Sequence, residues 1–462
     1  MTARALLALA AILSACTSST APAPPSAACT VAPHRQVGKP SALPLRDIVG
    51  LSSHPALGPG ADAVAERALE WKALATLGIH RMRTDFRFRT IEPQKGGFDF
   101  TQTDPLVKEA AAHGVDLLAL LDGTAAWATG EATGADKYPP QDPKDVAVFA
   151  AAVASRYQGS IREYEVWNEP NNGFSFWRTP SFSGEPDKYG ALYVQTRKAL
   201  LAAEPCAAVA CGSVIYHYFG LSGPDFVAAS LQATPDLAPA MDVLSFHPYP
   251  LYPPSQSPED AQGGEVPLLQ QIADMDAVLT TAGAKPASLW LTELGWPTFG
   301  DVTPQKQASF TVRAILLSAL GGADRLYLYT LLDVGQPSDV SPEGDFGLMT
   351  RGDVQGQGAA APQPKASFVA VQTLMATLGG YRVQKRLAAS TADTYLLQLT
   401  NKTQTAWVAW RANEGETATA VIQTPGSIRV TRLDGTSEDA TEALGAYLIK
   451  VAQDPIIVTQ LP

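Results

Sequence analysis

Glu163-Tyr164-Glu165-Val166-Trp167-Asn168-Glu169-Pro170-Asn171 is the stretch that decides how this chain folds. Apolar and aromatic residues alternate with polar ones as far as Trp167, the period-two pattern of a β-strand. Pro170, which has no backbone N–H to give to a ladder, then stops it. Glu169 is left at the strand's C-terminal end. In a barrel of eight β/α units catalytic side chains sit there, because the loops after the strands build the active face. A second apolar run closes in the same way. Ser288-Leu289-Trp290-Leu291-Thr292-Glu293-Leu294-Gly295-Trp296-Pro297 carries Glu293 at its end and a proline shortly after.

From about Arg46 short apolar runs alternate with helical stretches, the texture of parallel β/α units. Strands are expected over 47–51, 79–86, 115–121, 207–214, 241–246 and 325–332 besides the two already quoted. Helices are expected over 62–77, 142–157, 189–203 and 305–320, the first with Asp62 as N-cap and Gly78 at its end. From strand one to strand four each unit takes about 39 residues, and from Glu169 to Glu293 about 41, the size of a barrel unit with loop insertions. Even spacing puts both glutamates on one face. The fold expected is therefore α/β, a (β/α)8 TIM barrel over 45–378. After Tyr381 the pattern turns to short alternating strands such as 394–399, 406–410 and 418–422, predicting a small antiparallel, β-sandwich-like domain over 379–462.

The ends and the composition narrow the setting. Residues 1–15 hold Arg4 and an apolar run too short to span a bilayer, which reads as a signal peptide. Leu13-Ser14-Ala15-Cys16 looks like a bacterial lipobox. Cys16 would then be the lipidated N-terminus of an exported, membrane-anchored protein, with 16–44, rich in Ser, Thr, Ala and Pro, as its tether. Charged residues at 17% and hydrophobic ones at 46% are ordinary for a large folded chain. A formal net charge of −11 argues against nucleic acid and anionic polymers as partners. Of the other cysteines, Cys206 and Cys211 flank an expected strand and would lie roughly 16 Å apart if extended, too far to bridge. Buried or unpaired cysteines are the reading preferred. No Cys/His spacing suggests a metal, and a monomer is expected. Asn401-Lys402-Thr403 and Arg351-Gly352-Asp353 are taken as chance matches to short motifs.

The Trp-Asn-Glu-Pro run resembles the acid/base motif that closes the fourth barrel strand of retaining glycoside hydrolases of clan A, and Glu293 resembles that clan's nucleophile at strand seven. Gly78 to Phe86 with Ile91-Glu92-Pro93, and His247-Pro248-Tyr249-Pro250 at the end of strand six, fit the same pattern. The resemblance spans roughly residues 45 to 378 and is nearest to glycoside hydrolase family 39 and cellulase-like bacterial relatives. It implies an O-glycosidase acting on an oligo- or polysaccharide by double displacement. Glu169 would serve as acid and base, Glu293 as nucleophile, Asn168 would hold the 2-hydroxyl, and no cofactor would be needed. It further implies that Arg83 holds the nucleophile carboxylate, that His247 and Tyr249 contact the nucleophile or the sugar, and that aromatic rings line the cleft. Trp127 on the strand-three loop, Trp177 after Glu169, and Trp296 are candidates for those rings. Where the family usually offers a tryptophan at strand eight, this chain has Tyr327, Leu328 and Tyr329. Trp127 could equally be packed beneath its loop. The alternative kept open is a surface lipoprotein that binds glycans on a barrel scaffold without cutting them.

Overall fold

The computed structural model describes residues 36–461 apart from 132, 181, 285–286, 335–340, 353–360, 390 and 444. The signal peptide, Cys16, Cys29 and most of the tether lie outside the described residues, as does Asp353. Among the described residues no helix is long and apolar enough to cross a membrane.

Eight parallel strands close on themselves in sequence order. They are β1 (Val49–Ser52), β2 (Arg81–Arg87), β3 (Asp116–Asp122), β4 (Glu163–Val166), β5 (Ala208–Ile215), β6 (Val243–His247), β7 (Ser288–Leu294) and β8 (Arg325–Tyr329). Each is followed by a main helix: α1 (Ala61–Leu77), α2 (Asp104–Ala112), α3 (Pro143–Arg156), α4 (Pro186–Ala203), α5 (Gly223–Ala233), α6 (Leu268–Thr281), α7 (Pro304–Leu320) and α8 (Ala366–Leu378). The strands are almost wholly buried, as expected when helices cover one face and the barrel interior the other. Local signals set the helix ends. Asp142, Ser222 and Thr303 each accept a backbone N–H in the first turn, and Gly78 closes α1 in the left-handed conformation.

Two expectations shift at the N-terminal edge. Residues 45–48 form a helical turn, so the first strand starts at Val49 rather than Asp47. Ser41, placed in the tether by sequence, is buried and its N–H bonds Ala319 O at 2.8 Å. Beyond α8 come β9 (Arg382–Arg386), β10 (Thr394–Thr400), β11 (Thr405–Arg411), β12 (Ala418–Ile422), β13 (Ile428–Thr431), β14 (Ser437–Ala440), β15 (Tyr447–Val451) and β16 (Ile456–Gln460). They form a six-stranded sheet ordered β14-β13-β16-β11-β10-β9 and a two-stranded ribbon of β12 and β15. Leu396, Trp407 and Val458 of the sheet share a core with Ile422 and Ile449 of the ribbon. Cys211 is free and buried, but Cys206 is disulfide-bonded, which corrects the unpaired reading for that residue.

The barrel interior is built in charged layers, which is why the strands are not simply apolar on both faces. Near the entry ends Arg81 and Arg325 pair with Glu163 Oε1 at 3.1 and 3.0 Å, and the Tyr327 hydroxyl donates to its Oε2 at 3.2 Å. One level up, Arg83 Nε meets Glu165 Oε2 at 2.6 Å, both side chains sealed from solvent. The next level is the mouth of the barrel, where both glutamates stand.

Candidate active site

β4 ends at Val166 and the chain then turns sharply. Trp167 and Glu169 take φ of 73° and 43°, and Ser213 on β5 takes 50°, all left-handed conformations that side-chain-bearing residues avoid. Such strain persists only where the surroundings hold it, and it gathers at functional sites. Here the Glu169 N–H bonds Ser213 O at 2.9 Å, while Asn171 ties the same loop to β5 through Ile215 N and O. Glu169 is thereby aimed across the mouth. Its carboxylate accepts from Asn172 Nδ2 at 2.9 Å and lies 3.0 Å from His247 Nδ1.

Glu293 approaches from the opposite wall, on a stretch of β7 whose register against β8 slips between Leu291 and Leu294. Arg83 Nη1 donates to its Oε1 at 2.5 Å and the Tyr249 hydroxyl to its Oε2 at 3.1 Å. One oxygen of each carboxylate and a ring nitrogen of His247 lie within 4.8 Å of one another. His247 Nδ1 stands between the two, 3.0 Å from Glu169 and 3.8 Å from Glu293, while its Nε2 faces Ser213 Oγ at 3.2 Å. One proton, on the ring or on Glu169, must sit in the shorter contact. These three side chains are also, among the described residues, the one group close enough to share an ion.

Arg83 organises the floor. Besides Glu165 and Glu293 it donates from Nη2 to Asn168 Oδ1 at 2.8 Å, which turns the amide's NH2 edge away from the guanidinium. Burial opposes ionisation of Glu293, but the charges of His247, Arg83 and His54 and the Arg83 hydrogen bond outweigh it and hold the carboxyl below its ordinary value. Burial, followed by the Glu293 charge, pushes the Tyr249 hydroxyl well above its ordinary value, so it stays a donor.

Thus Glu169, Glu293, Arg83, Asn168, His247 and Tyr249 come together. The expected aromatic platforms fare differently. Trp177 is about 1% exposed, its ring edge-on to Trp167 at 5.1 Å and its Nε1 bonded to Glu185; it can offer no face to a sugar. Trp296 is equally buried, against Phe310, with Nε1 on Gln256 O. Trp127 is half-buried under its loop, edge-on to Phe88, with Nε1 on Glu92 O and Lys95 over the ring. Phe174 and Phe219, on the loops after β4 and β5, are instead 59% and 79% exposed. Tyr329 is half-buried beside His54 and Phe346. Sequence reading missed Asp85, Asp122 and Glu165; the signal available was the alternation Arg81, Arg83, Asp85, Arg87, charges on one face of a strand that must point into the barrel.

A cavity of about 970 Å³ lies elsewhere, between α7, α8 and the C-terminal strands. Its lining has no aromatic ring, and it holds neither glutamate, so the chemistry points to the strand ends.

The fold of this barrel is similar to that of glycoside hydrolases of known structure. Among solved structures the chain is similar to a family 39 glycoside hydrolase from the gut symbiont Bacteroides cellulosilyticus WH2, with 21% identity, a TM-score of 0.70, and coverage of 90% of this chain and 81% of that one. It is also similar to the family 39 enzyme of Xanthomonas axonopodis pv. citri, at 16% identity, TM-score 0.60, and coverage of 92% and 95%. A family 30 endoxylanase from Clostridium papyrosolvens C71 stands at 15% and 0.60, covering 92% and 98%. No protein-family model matches the chain, and no curated protein sequence does.

Proposed function

We propose that the chain is a retaining glycosidase, hydrolysing O-glycosidic bonds of an oligo- or polysaccharide. The observation that carries this is the 4.8 Å limit on the separation of the Glu169 and Glu293 oxygens. Carboxyl groups about 5 to 5.5 Å apart leave room for a sugar carbon but not for the extra water that an inverting enzyme needs, which requires about 6.5 to 9.5 Å. Glu293, kept anionic by Arg83, attacks the anomeric carbon while Glu169 delivers its proton to the leaving oxygen. Water, giving its proton to Glu169, then releases the sugar. Asn168, held by Arg83, is oriented to bond the 2-hydroxyl, and no step calls for a cofactor. Glycosidase names among structures of similar fold agree with this reading.

Export is proposed separately. The apolar N-terminus and the Leu13 to Cys16 run support a lipid-anchored protein of the bacterial envelope, and a disulfide at Cys206 fits an oxidising compartment. Loss of membrane partition in Cys16→Ala would support the anchor. For the activity, aryl glycosides and polysaccharides are offered to the wild type and to Glu293→Ala. Turnover with retained anomeric configuration, abolished in the variant, is expected. Inversion, or equal turnover in both, rejects the mechanism, and turnover in neither points to a glycan-binding protein.

A further inference from the structure

Three bare phenylalanine rings stand on the loops after β4 and β5, and none of the steps above uses them. Of the fifteen phenylalanines in the chain only Phe98, Phe174, Phe182 and Phe219 are exposed, and the rest are buried or half-buried. Phe174 and Phe182 follow β4, and Phe219 follows β5. A single exposed ring needs no explanation. Three on two adjoining loops at the open end of a barrel form an apolar patch of the kind that marks a binding surface.

Both loops are built onto Glu169. Asn172 Nδ2 donates to the Glu169 carboxylate at 2.9 Å, and Asn172 Oδ1 accepts from Ser175 N at 3.0 Å, which fixes the turn that carries Phe174. Asn171 gives its Nδ2 to Ile215 O at 2.8 Å and to Leu221 O at 3.1 Å, so it pins both stems of the loop that carries Phe219. Phe182 locks the two loops together. A Cβ on Gly173 would stand 2.2 Å from its carbonyl carbon, and one on Gly220 would stand 3.1 Å from its carbonyl oxygen. Phe182 keeps this place at a φ of 57°, a left-handed conformation that bulky residues avoid. Its ring centroid lies 6.2 Å from that of Phe174, and the Phe219 centroid lies 4.4 Å from that of Tyr218. The Tyr218 hydroxyl in turn faces the Gly173 and Phe174 backbone, where the Glu169 charge acts on it.

This position names the occupant. In the mechanism proposed above Glu169 protonates the oxygen of the departing group, while Glu293 reaches the anomeric carbon from the opposite wall. Rings built onto the acid therefore meet the leaving group. A phenyl ring has neither hydroxyl nor N–H to offer a sugar, and it gains by covering apolar surface. The rings are also tilted, Phe174 to Phe182 by 35° and Tyr218 to Phe219 by 34°, so they form no parallel-walled slot for a flat ring. An uneven apolar surface of this kind suits a flexible alkyl chain.

We infer that Phe174, Phe182 and Phe219 form a binding site for an alkyl aglycone, so that the bond cut fastest joins the sugar chain to an alkyl group at its reducing end. This rests on the glycosidase reading and narrows it. The sugar is first chosen as that of the 4-nitrophenyl glycoside turned over fastest. Its methyl, octyl and benzyl glycosides and its disaccharide are then compared, below micelle-forming concentrations, in the wild type and in Phe174→Ser/Phe219→Ser. Methanol, octanol and benzyl alcohol are leaving groups of like basicity, so the demand on the acid is constant and only the apolar contact changes. In the wild type octyl should exceed methyl in kcat/KM by at least about ten-fold, mostly through KM, and should also lead benzyl and the disaccharide. The double variant alters exposed side chains and should keep the parent's Tm, while its octyl-to-methyl ratio should fall to under about a third of the wild-type value. A smaller ratio in the wild type, a ratio kept in the variant, or a lead for benzyl or for the disaccharide overturns the inference. So does a wild-type dimer that becomes a monomer in the double variant, since a second copy would then cover the rings. Calorimetric titration with the methyl and octyl glycosides separates this from the parent reading. If octyl binds ahead of methyl in the wild type alone and nothing is turned over, the alkyl site stands and the hydrolase falls. Turnover with no preference for octyl leaves the hydrolase and ends the inference.

Discussion

Arg83→Met is the most informative single change, because one guanidinium serves both stability and chemistry. The substitution keeps the stem but removes a cation that touches Glu165 at 2.6 Å, Glu293 at 2.5 Å and Asn168 at 2.8 Å. Glu165 is fully buried and its Oε1 already lacks a partner, so the variant strands a buried charge. Breaking such a pair costs about 3 to 5 kcal/mol. Spread over the unfolding entropy of a chain of this size, that is a fall in Tm of roughly 3 to 6 °C. Glu165→Met added to Arg83→Met should recover most of the loss, since a neutral pair needs no counter-charge. Activity should not recover. Glu293 would still lack the cation that orients it, a loss of about 10²- to 10³-fold in kcat/KM. Its carboxyl would also rise from its lowered value, moving the acid limb of the pH–rate profile to higher pH. Thermal melts and kcat/KM against pH on single and double variants measure all three. An Arg83→Met protein with the parent's Tm and an unmoved acid limb would refute the reasoning.

Two further outcomes follow from the same geometry. Glu169→Gln should lose about 10²- to 10⁴-fold on glycosides with alkyl leaving groups and far less on dinitrophenyl glycosides, whose leaving group needs no proton; equal losses on both would contradict the acid role. Glu70, buried in α1 and bonded by Ser53 Oγ at 2.8 Å, is pushed up to about 7 by its burial, which the Ser53 bond only partly offsets. Because the folded value lies above the unfolded one, the benefit is complete below about pH 4.3 and is lost as pH rises through about 7, on the order of 3 kcal/mol. Glu70→Gln should therefore flatten the decline in Tm between pH 5 and 8, and parallel declines in the two proteins would contradict the assignment.

Much of this was legible in the chain itself, for identifiable reasons. Proline after Glu169 and after Glu293 marked where strands stop, and even spacing put both residues on one face. Barrel closure and the positions of β2 to β8 follow from that periodicity to within a few residues. Arg83 was readable because Gly78 to Phe86 resembles the clan's second strand, which implies an arginine holding the nucleophile carboxylate, and a fixed cation there keeps that carboxylate ionised. The tryptophans misled because a ring's composition says nothing of its exposure. Trp177 and Trp296 are covered by residues distant in sequence, Tyr189 and Phe310 among them, while Phe174 and Phe219 are left bare. Asp85 and Asp122 were passed over since they lie on different strands, 37 positions apart. The parallel register of β2 on β3 sets Asp122 beside Arg87, the residue that also bonds Asp85.

The account turns on Glu293 forming a bond to sugar. Incubation with a 2-deoxy-2-fluoro dinitrophenyl glycoside, which slows release of the glycosyl enzyme, followed by peptide mass mapping, reads that bond directly. One fluoroglycosyl adduct per chain, on the peptide carrying Glu293 and absent from Glu293→Gln, is the result predicted. Steady hydrolysis of the parent glycoside with no adduct trapped, or an adduct on another residue, would contradict it.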